Sequence, residues 1–234
     1  TVFVIKYDFT LASDVIIPAN CVLEFEGGSI SGAYTLTFAS TGISGNAKIT
    51  CDVAGTLLGD VNAAWFGMKA DDSTFDNGII INKVCALAAS VYIPWGTYYF
   101  QTPVIINGID SINFNAILVY NGTVTNSTAI TITTNDANIF IHTLQGVFEN
   151  TIFTDNGNSN SCGICFKNSN TNKVRISTVM YFNTGVKVFG DMGGCCYNAF
   201  DIKCIKTFNK GIRFTQDNGG WANENYLYNC RFRI

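Results

Sequence analysis

The chain has 234 residues, 47% of them apolar and 13% charged, with a formal net charge of −3. That is apolar material enough for one large core or one elongated stack. The charge balance argues against a nucleic-acid surface, which needs Lys and Arg clustered on one face. No apolar run approaches the roughly 18 residues of a bilayer-spanning helix.

Residues 1–62 read as an N-terminal module of short strands: Val2 to Tyr7, Val15 to Ile17, Cys21 to Phe25, Thr35 to Phe38 and Lys48 to Cys51. Each alternates apolar and polar residues or carries β-branched ones, and Gly27-Gly28, Gly32 and Gly42 punctuate them. Glu24 and Glu26 read as an outward face.

Residues 63–100 differ. Ile80, Val84, Leu87 and Ala88 recur at the spacing of one helix face. Ser73, with Asp76 three residues on, resembles a capping box that would start the helix. Asp71-Asp72 lies before it, where negative charge suits the helix N-terminus. A strand follows, Val91-Tyr-Ile-Pro-Trp-Gly-Thr-Tyr-Tyr-Phe100, broken by a Pro-x-Gly turn.

From 101 onward the pattern is again short strands, and the last quarter repeats. Asn172-Lys-Val-Arg-Ile-Ser-Thr-Val179 aligns with Asn198-Ala-Phe-Asp-Ile-Lys-Cys-Ile205 and with Asn225-Tyr-Leu-Tyr-Asn-Cys-Arg-Phe232, at offsets of 26 (172 to 198) and 27 (198 to 225). Phe182-Asn-Thr-Gly-Val-Lys-Val188 aligns with Phe208-Asn-Lys-Gly-Ile-Arg-Phe214. A fixed period in this range marks stacked supersecondary units. Like residues should then stack about 4.8 Å apart in parallel strands. Inward columns are expected at Val174/Phe200/Leu227, Ile176/Ile202/Asn229, Ile164/Val186/Ile212 and Phe166/Val188/Phe214. Outward columns are expected at Arg175/Asp201/Tyr228 and Cys165/Lys187/Arg213. A leucine-rich solenoid lacks its Leu-x-x-Leu-x-Leu signature here. The third copy stops at Ile234, so the chain is expected to be a fragment, with coils 101–234 truncated at the C-terminus.

Two segments carry a resemblance. Trp65-Phe-Gly-Met-Lys-Ala-Asp-Asp72 through the helix, then Val91-Tyr-Ile-Pro-Trp-Gly-Thr-Tyr98, resembles the motif that opens the coils in the pectate-lyase-like superfamily. Met68-Lys-Ala70 stands there in place of Ala-Lys-Gly, and Trp95 in place of a common Pro. Lys6-Tyr-Asp-Phe-Thr10 with Ile17-Pro-Ala-Asn-Cys-Val-Leu-Glu-Phe-Glu-Gly-Gly-Ser29 resembles N-terminal modules of bacteriophage tail spikes and tail fibres. The resemblance and the repeat together lead to one expectation. The fold is all-β: a right-handed, single-stranded parallel β-helix with one short capping helix. By resemblance, the chain would be a carbohydrate-directed shaft and receptor-binding domain on a virion tail or cell surface. It would be a homotrimer, and its partner would be a bacterial surface polysaccharide or glycan receptor. The alternatives are a polysaccharide lyase or glycoside hydrolase with catalytic coils partly beyond Ile234, and a structural adhesin.

Asp191-Met-Gly-Gly194 and Asp217-Asn-Gly-Gly220 recur 26 residues apart (191 to 217). Stacking would bring their carboxylates together, as a catalytic acid pair or as ligands to a shared Ca2+, which takes carboxylate oxygens. A repeated turn explains the same residues, with Asp bonding its own backbone and Gly-Gly supplying positive φ. Arg175, Asp201 and Tyr228, with Trp221 and Tyr226 nearby in sequence, suit sugar recognition through rings and charged hydrogen bonds. An exposed ion pair beside ordinary aromatics is the plainer account.

Cys162-Gly-Ile-Cys165 lies on a strand, where positions three apart face opposite ways, so it reads as structural. The nine cysteines read as small buried apolar residues of a protein made in a reducing cytoplasm. His142, the single histidine, excludes a multi-histidine metal site. The sequons at Asn121 and Asn126 come without any sign of a eukaryotic secretory route.

Overall fold

The computed structural model describes residues 1–122, 127–146 and 161–233. Asn126 and Ile234 lie outside them. Among the described residues the chain is strand-rich, with one α-helix, Asn77–Cys85, and a 3-10 turn, Ala63–Phe66. A fourteen-stranded sheet, a five-stranded sheet and a two-stranded pair account for the strands. The pairings are parallel throughout. The large sheet runs from Val2–Ile5 through Val22–Phe25, Thr35–Gly45 and Asp52–Asn62 into Ala88–Ile93 and beyond.

In the repeat region the chain alternates between the sheets. Lys173–Met180 and Ala199–Ile202 belong to the large one, and Cys162–Lys167, Thr184–Asp191 and Lys210–Asp217 to the small one. Each return lands in the expected register. Val174 pairs with Phe200 and Phe200 with Leu227, while Arg175 pairs with Asp201 and Asp201 with Tyr228. Ile164, Val186 and Ile212 align, as do Phe166, Val188 and Phe214. Phe166, Val188, Phe200, Ile176 and Ile202 are fully buried in one core that extends back to Leu23. Leu227 and Phe214 are 45% and 43% exposed, because no described rung lies beyond them.

Asn172, Asn198 and Asn225, which head each copy, form an amide ladder, buried at Asn172 and Asn198 and half-buried at Asn225. The Asn172 Nδ2 donates to Asn198 Oδ1 at 2.8 Å, and the Asn198 Nδ2 to Asn225 Oδ1 at 2.9 Å. Each Oδ1 also accepts the backbone N–H one rung back, at 3.1 Å in both cases. The ladder satisfies turn backbone that the core would otherwise strand without water.

Several expectations are corrected. Asn229 is not inward: it is exposed, in a turn with φ of 50°. Lys48 to Cys51 forms no strand, only a bridge from Ile49 to Ile30. The strand is Asp52–Asn62, hidden from period-2 reading because Gly55 and Gly59 take φ of 94° and 78° and the register slips between Leu57 and Asp60. The buried helix face is Gly78, Ile81, Val84 and Cys85, and Ala88 already starts a strand. The N-cap is Asp76 rather than Ser73.

Asp76 does more than cap. Its carboxylate accepts from Gly78 N at 3.0 Å, Gln101 N at 2.9 Å and the Thr102 hydroxyl at 2.6 Å. It thereby ties the helix start to the chain beyond the strand Thr97–Phe100. Burial opposes its charge, but the Thr102 hydroxyl and the backbone N–H groups outweigh that and hold its carboxyl below the usual range. A depressed folded-state pKa gives stability that is present above the unfolded value, about 3.9, and lost as pH falls through the folded value. Thermal melts of the protein should therefore fall on acidification below about pH 4. Asp76→Asn should be less stable at neutral pH and show a shallower acid dependence. Equal slopes for both proteins would contradict the assignment.

Candidate functional site

Two outward faces gather the chemistry. The first is the outer face of the small sheet. Alternate residues share a face, so Cys165 and Lys167, then Lys187, Phe189 and Asp191, then Arg213, Thr215 and Asp217 form successive rows. Register sets Lys187 opposite Arg213, Phe189 opposite Thr215 and Asp191 opposite Asp217. The sequence pairing of Asp191 with Asp217 is thus met in the backbone.

The two carboxylates are held differently. Asp191 Oδ2 lies 2.7 Å from Lys167 Nζ, and its Oδ1 accepts from Asn218 Nδ2 at 2.8 Å. Asn168 clamps the Asp191 backbone from the rung before: its Oδ1 accepts the Asp191 N–H at 2.7 Å and its Nδ2 donates to the Asp191 carbonyl at 2.7 Å. The hydrogen bond from Lys167 and then the one from Asn218 hold the Asp191 carboxyl below the usual carboxylate range. Asp217 Oδ1 accepts from the N–H of its neighbour Asn218 at 2.8 Å, a turn contact. Lys167 and Asn218 were not singled out from the sequence. Lys167 stands one rung before Asp191 and slightly offset, so only the fold reveals the pair.

The Gly-Gly pairs serve two ends: Gly219 takes the expected positive φ, 76°, with open space around it, while Gly194 and Gly220 allow close approach. Met192 and Asn218, both non-glycine, take the left-handed conformation at φ 56° and 47°. A Cβ at Gly194 would meet the Trp221 indole, and one at Gly220 would run into the Gly190 backbone. At Gly194 and Gly220 glycine answers the stacking of one loop on the next.

The second face is the outer surface of the large sheet. Arg175 Nε is 3.7 Å from Asp201 Oδ2, a loose pair with Arg175 well exposed. Tyr228 follows in register, and Tyr226 stacks beside it with ring centroids 6.5 Å apart and planes 21° from parallel. Both rings are 52% exposed. Trp221 belongs elsewhere. It lies in the loop after Asp217, bridges to Gly194, and its backbone carbonyl accepts from Cys195 N at 2.8 Å. The structure thus brings four of the five expected sugar-binding residues onto one face.

Compared with known proteins, the chain matches no family model, no curated protein and no solved structure.

The cysteines are free. Burial pushes the Cys162 thiol up to about 12 and the Cys165 thiol up to about 11, so both stay protonated and inert at neutral pH. Cys165 corrects one expectation. It keeps its place in the outer row, in register with Lys187, but is buried there rather than exposed, a short side chain close to the longer Lys187 and Lys167. His142 packs edge-on to the Trp95 ring at 5.0 Å, and its Nδ1 lies 3.0 Å from the Thr143 hydroxyl. Among the described residues no group of three or more His, Cys, Asp and Glu side chains is placed to hold a metal ion. No described helix is long and apolar enough to cross a membrane.

Proposed function

We propose that the chain is a right-handed, single-stranded parallel β-helix that acts as a carbohydrate-binding shaft. The alternation between two parallel sheets at a fixed period supports the coil. The observation that carries the function is the stacked, exposed Tyr226–Tyr228 pair, in which Tyr228 continues the register of Arg175 and Asp201. Sugar rings offer apolar CH faces to aromatic rings and hydroxyls to charged groups, and this column presents both in order. The sequence resemblance extends the reading to a tail-spike-like or tail-fibre-like surface protein whose β-helices assemble as homotrimers.

The Asp191–Asp217 register favours a second reading, a glycan-cleaving enzyme. A carboxylic acid that protonates a leaving oxygen needs a raised pKa. Asp191 is shifted the other way by Lys167, which favours binding over hydrolysis at this pair.

A glycan array with the wild-type protein and Tyr228→Ala tests the binding reading. The variant should bind its best neutral glycan about three- to tenfold more weakly with its fold intact. Unchanged affinity would exclude this face. New reducing ends or unsaturated products on a polysaccharide panel would favour the enzyme. Sizing in solution tests the trimer.

A further inference from the structure

Lys187 and Arg213 stand directly opposite each other on neighbouring strands of the small sheet. Like charges in that position repel and weaken the pairing. Among the described residues the ion pairs use Lys6, Lys83, Lys167 and Arg175, and leave Lys187 and Arg213 with no carboxylate at ion-pair distance, although the Lys187 charge acts on Asp191 from farther off. Lys187 instead places its ammonium 4.0 Å from the centre of the Phe189 ring. Lys167 approaches the same ring at 5.7 Å while Asp191 holds its ammonium. The ring face is therefore covered by cations and is no stacking platform for a sugar. It acts as a seat that fixes two ammonium groups at low entropic cost. Arg213, exposed beside them, adds a planar fork suited to carboxylate or sulfate.

We infer that the outer face of the small sheet, at Lys187 and Arg213 with Lys167 beside them, binds the anionic groups of an acidic glycan. This deepens the carbohydrate reading and rests on it, but it uses a different face from the tyrosine pair. Successive rungs are about 4.8 Å apart, close to the length of one sugar residue, so a glycan lying along the stack meets Lys187 and Arg213 with consecutive units. A bound anion relieves the repulsion that the free protein carries between those two side chains. Asp191 and Asp217 sit further along the same rows, where they limit how far an anionic chain spreads across the sheet.

The test compares glycans of one backbone with and without charge: dextran sulfate against dextran, and alginate against carboxyl-reduced alginate, with linear polyphosphate as a polyanion that is not a sugar. Wild-type protein should bind at least one charged glycan more than tenfold better than its neutral counterpart, with affinity falling as salt rises. Whether sulfate or carboxylate wins identifies the anion. Lys187→Gln and Arg213→Gln should each lose about tenfold for the charged probe and flatten the salt dependence. Arg213→Gln should melt no lower than wild type, because a repulsion is removed, whereas Lys187→Gln gives up its contact with the Phe189 ring as well, and Tyr228→Ala should keep the charge preference. An unchanged affinity in the double variant, or polyphosphate bound as tightly as the charged glycan, overturns the inference. Neutral glycans bound through the tyrosines with no gain from charge would overturn it and leave the carbohydrate reading standing. Failure to bind any glycan, neutral or charged, would bring down both.

Discussion

Replacing Asn198 by alanine is expected to lower the unfolding free energy by about 3–5 kcal/mol, among the largest effects of any single polar substitution in this chain. Asn198 is fully buried. Its Oδ1 accepts from Asn172 N and Nδ2, and its Nδ2 donates to Asn225 Oδ1 and, at 2.7 Å, to the Ser169 carbonyl. Alanine takes the acceptor from the Asn172 N–H and one bond each from Asn172 Nδ2, Asn225 Oδ1 and the Ser169 carbonyl. Those three keep, respectively, the Thr134 carbonyl and Ser169 Oγ, the Asn198 N–H, and the Cys195 thiol. The orphaned buried N–H costs about 1–3 kcal/mol, and each lost bond adds to it. Asn198→Asp keeps the acceptor but loses both donated bonds, and its charge would be buried. It should be at least as damaging at neutral pH and partly rescued by acid, where the protonated carboxyl donates again. Urea unfolding followed by circular dichroism reads both. A loss below about 1 kcal/mol for the alanine variant would mean the ladder is ornamental.

The second large effect is expected at Phe200. Its ring is fully buried between Val174 and Leu227 in its column and meets Phe166 of the facing sheet edge-on, with centroids 5.0 Å apart. Phe200→Ala should cost about 3–5 kcal/mol, from lost burial and the cavity left in a core that relaxes only in part. Phe200→Leu, which keeps most of the volume, should cost markedly less. A double-mutant cycle with Phe166→Leu should show coupling of about 0.5–1.5 kcal/mol, the share owed to ring-on-ring geometry. Additive losses would show that the two rings only fill space. In a stack held by nearest-neighbour contacts, these substitutions should loosen the rungs around residue 200 before the helix-bearing part. Hydrogen exchange would show protection lost near Lys173–Met180 and Ala199–Ile202 while Ala88–Ile93 stays protected.

The columns that these predictions use were legible without coordinates. Val174 over Phe200 and Arg175 beside Asp201 follow from two periods, one of two residues within a strand and one of about 26 between strands. The failures have a common cause. Lys48 to Cys51 looked like a strand, and Asp52–Asn62 did not, because glycines at positive φ shift the pleat and break alternation. Ser73 had the better capping spacing, but Asp76 won because Gln101 and Thr102, distant in sequence, offered it more bonds. Asn229 matched its column by alignment and left it because the strand Tyr226–Tyr228 had already ended.

The candidate site divides in the same way. Asp191 with Asp217, and Lys187 with Arg213, were readable as pairs because each pair repeats at the period. Lys167 with Asp191, Asn168 around the Asp191 backbone and the two ammonium groups on Phe189 do not repeat, so no alignment of copies could show them. The three asparagines lie between. Their recurrence was plain, but asparagine is an ordinary turn residue. That their amides hydrogen-bond one another depends on burial and on the turns stacking atom over atom.

By itself, then, the sequence determined the strand-rich, parallel, stacked order of the repeats and which residues stand above which. That information is periodic, and a hydrophobic core rewards it at every rung. Only the tertiary structure decided the charge states and partners. Asp191 became a neutralised structural carboxylate, while Lys187 and Arg213 were left facing each other without one. Those outcomes turn on distances of a few ångströms between side chains from different rungs, where Coulomb and hydrogen-bond energies change steeply and no sequence period records them.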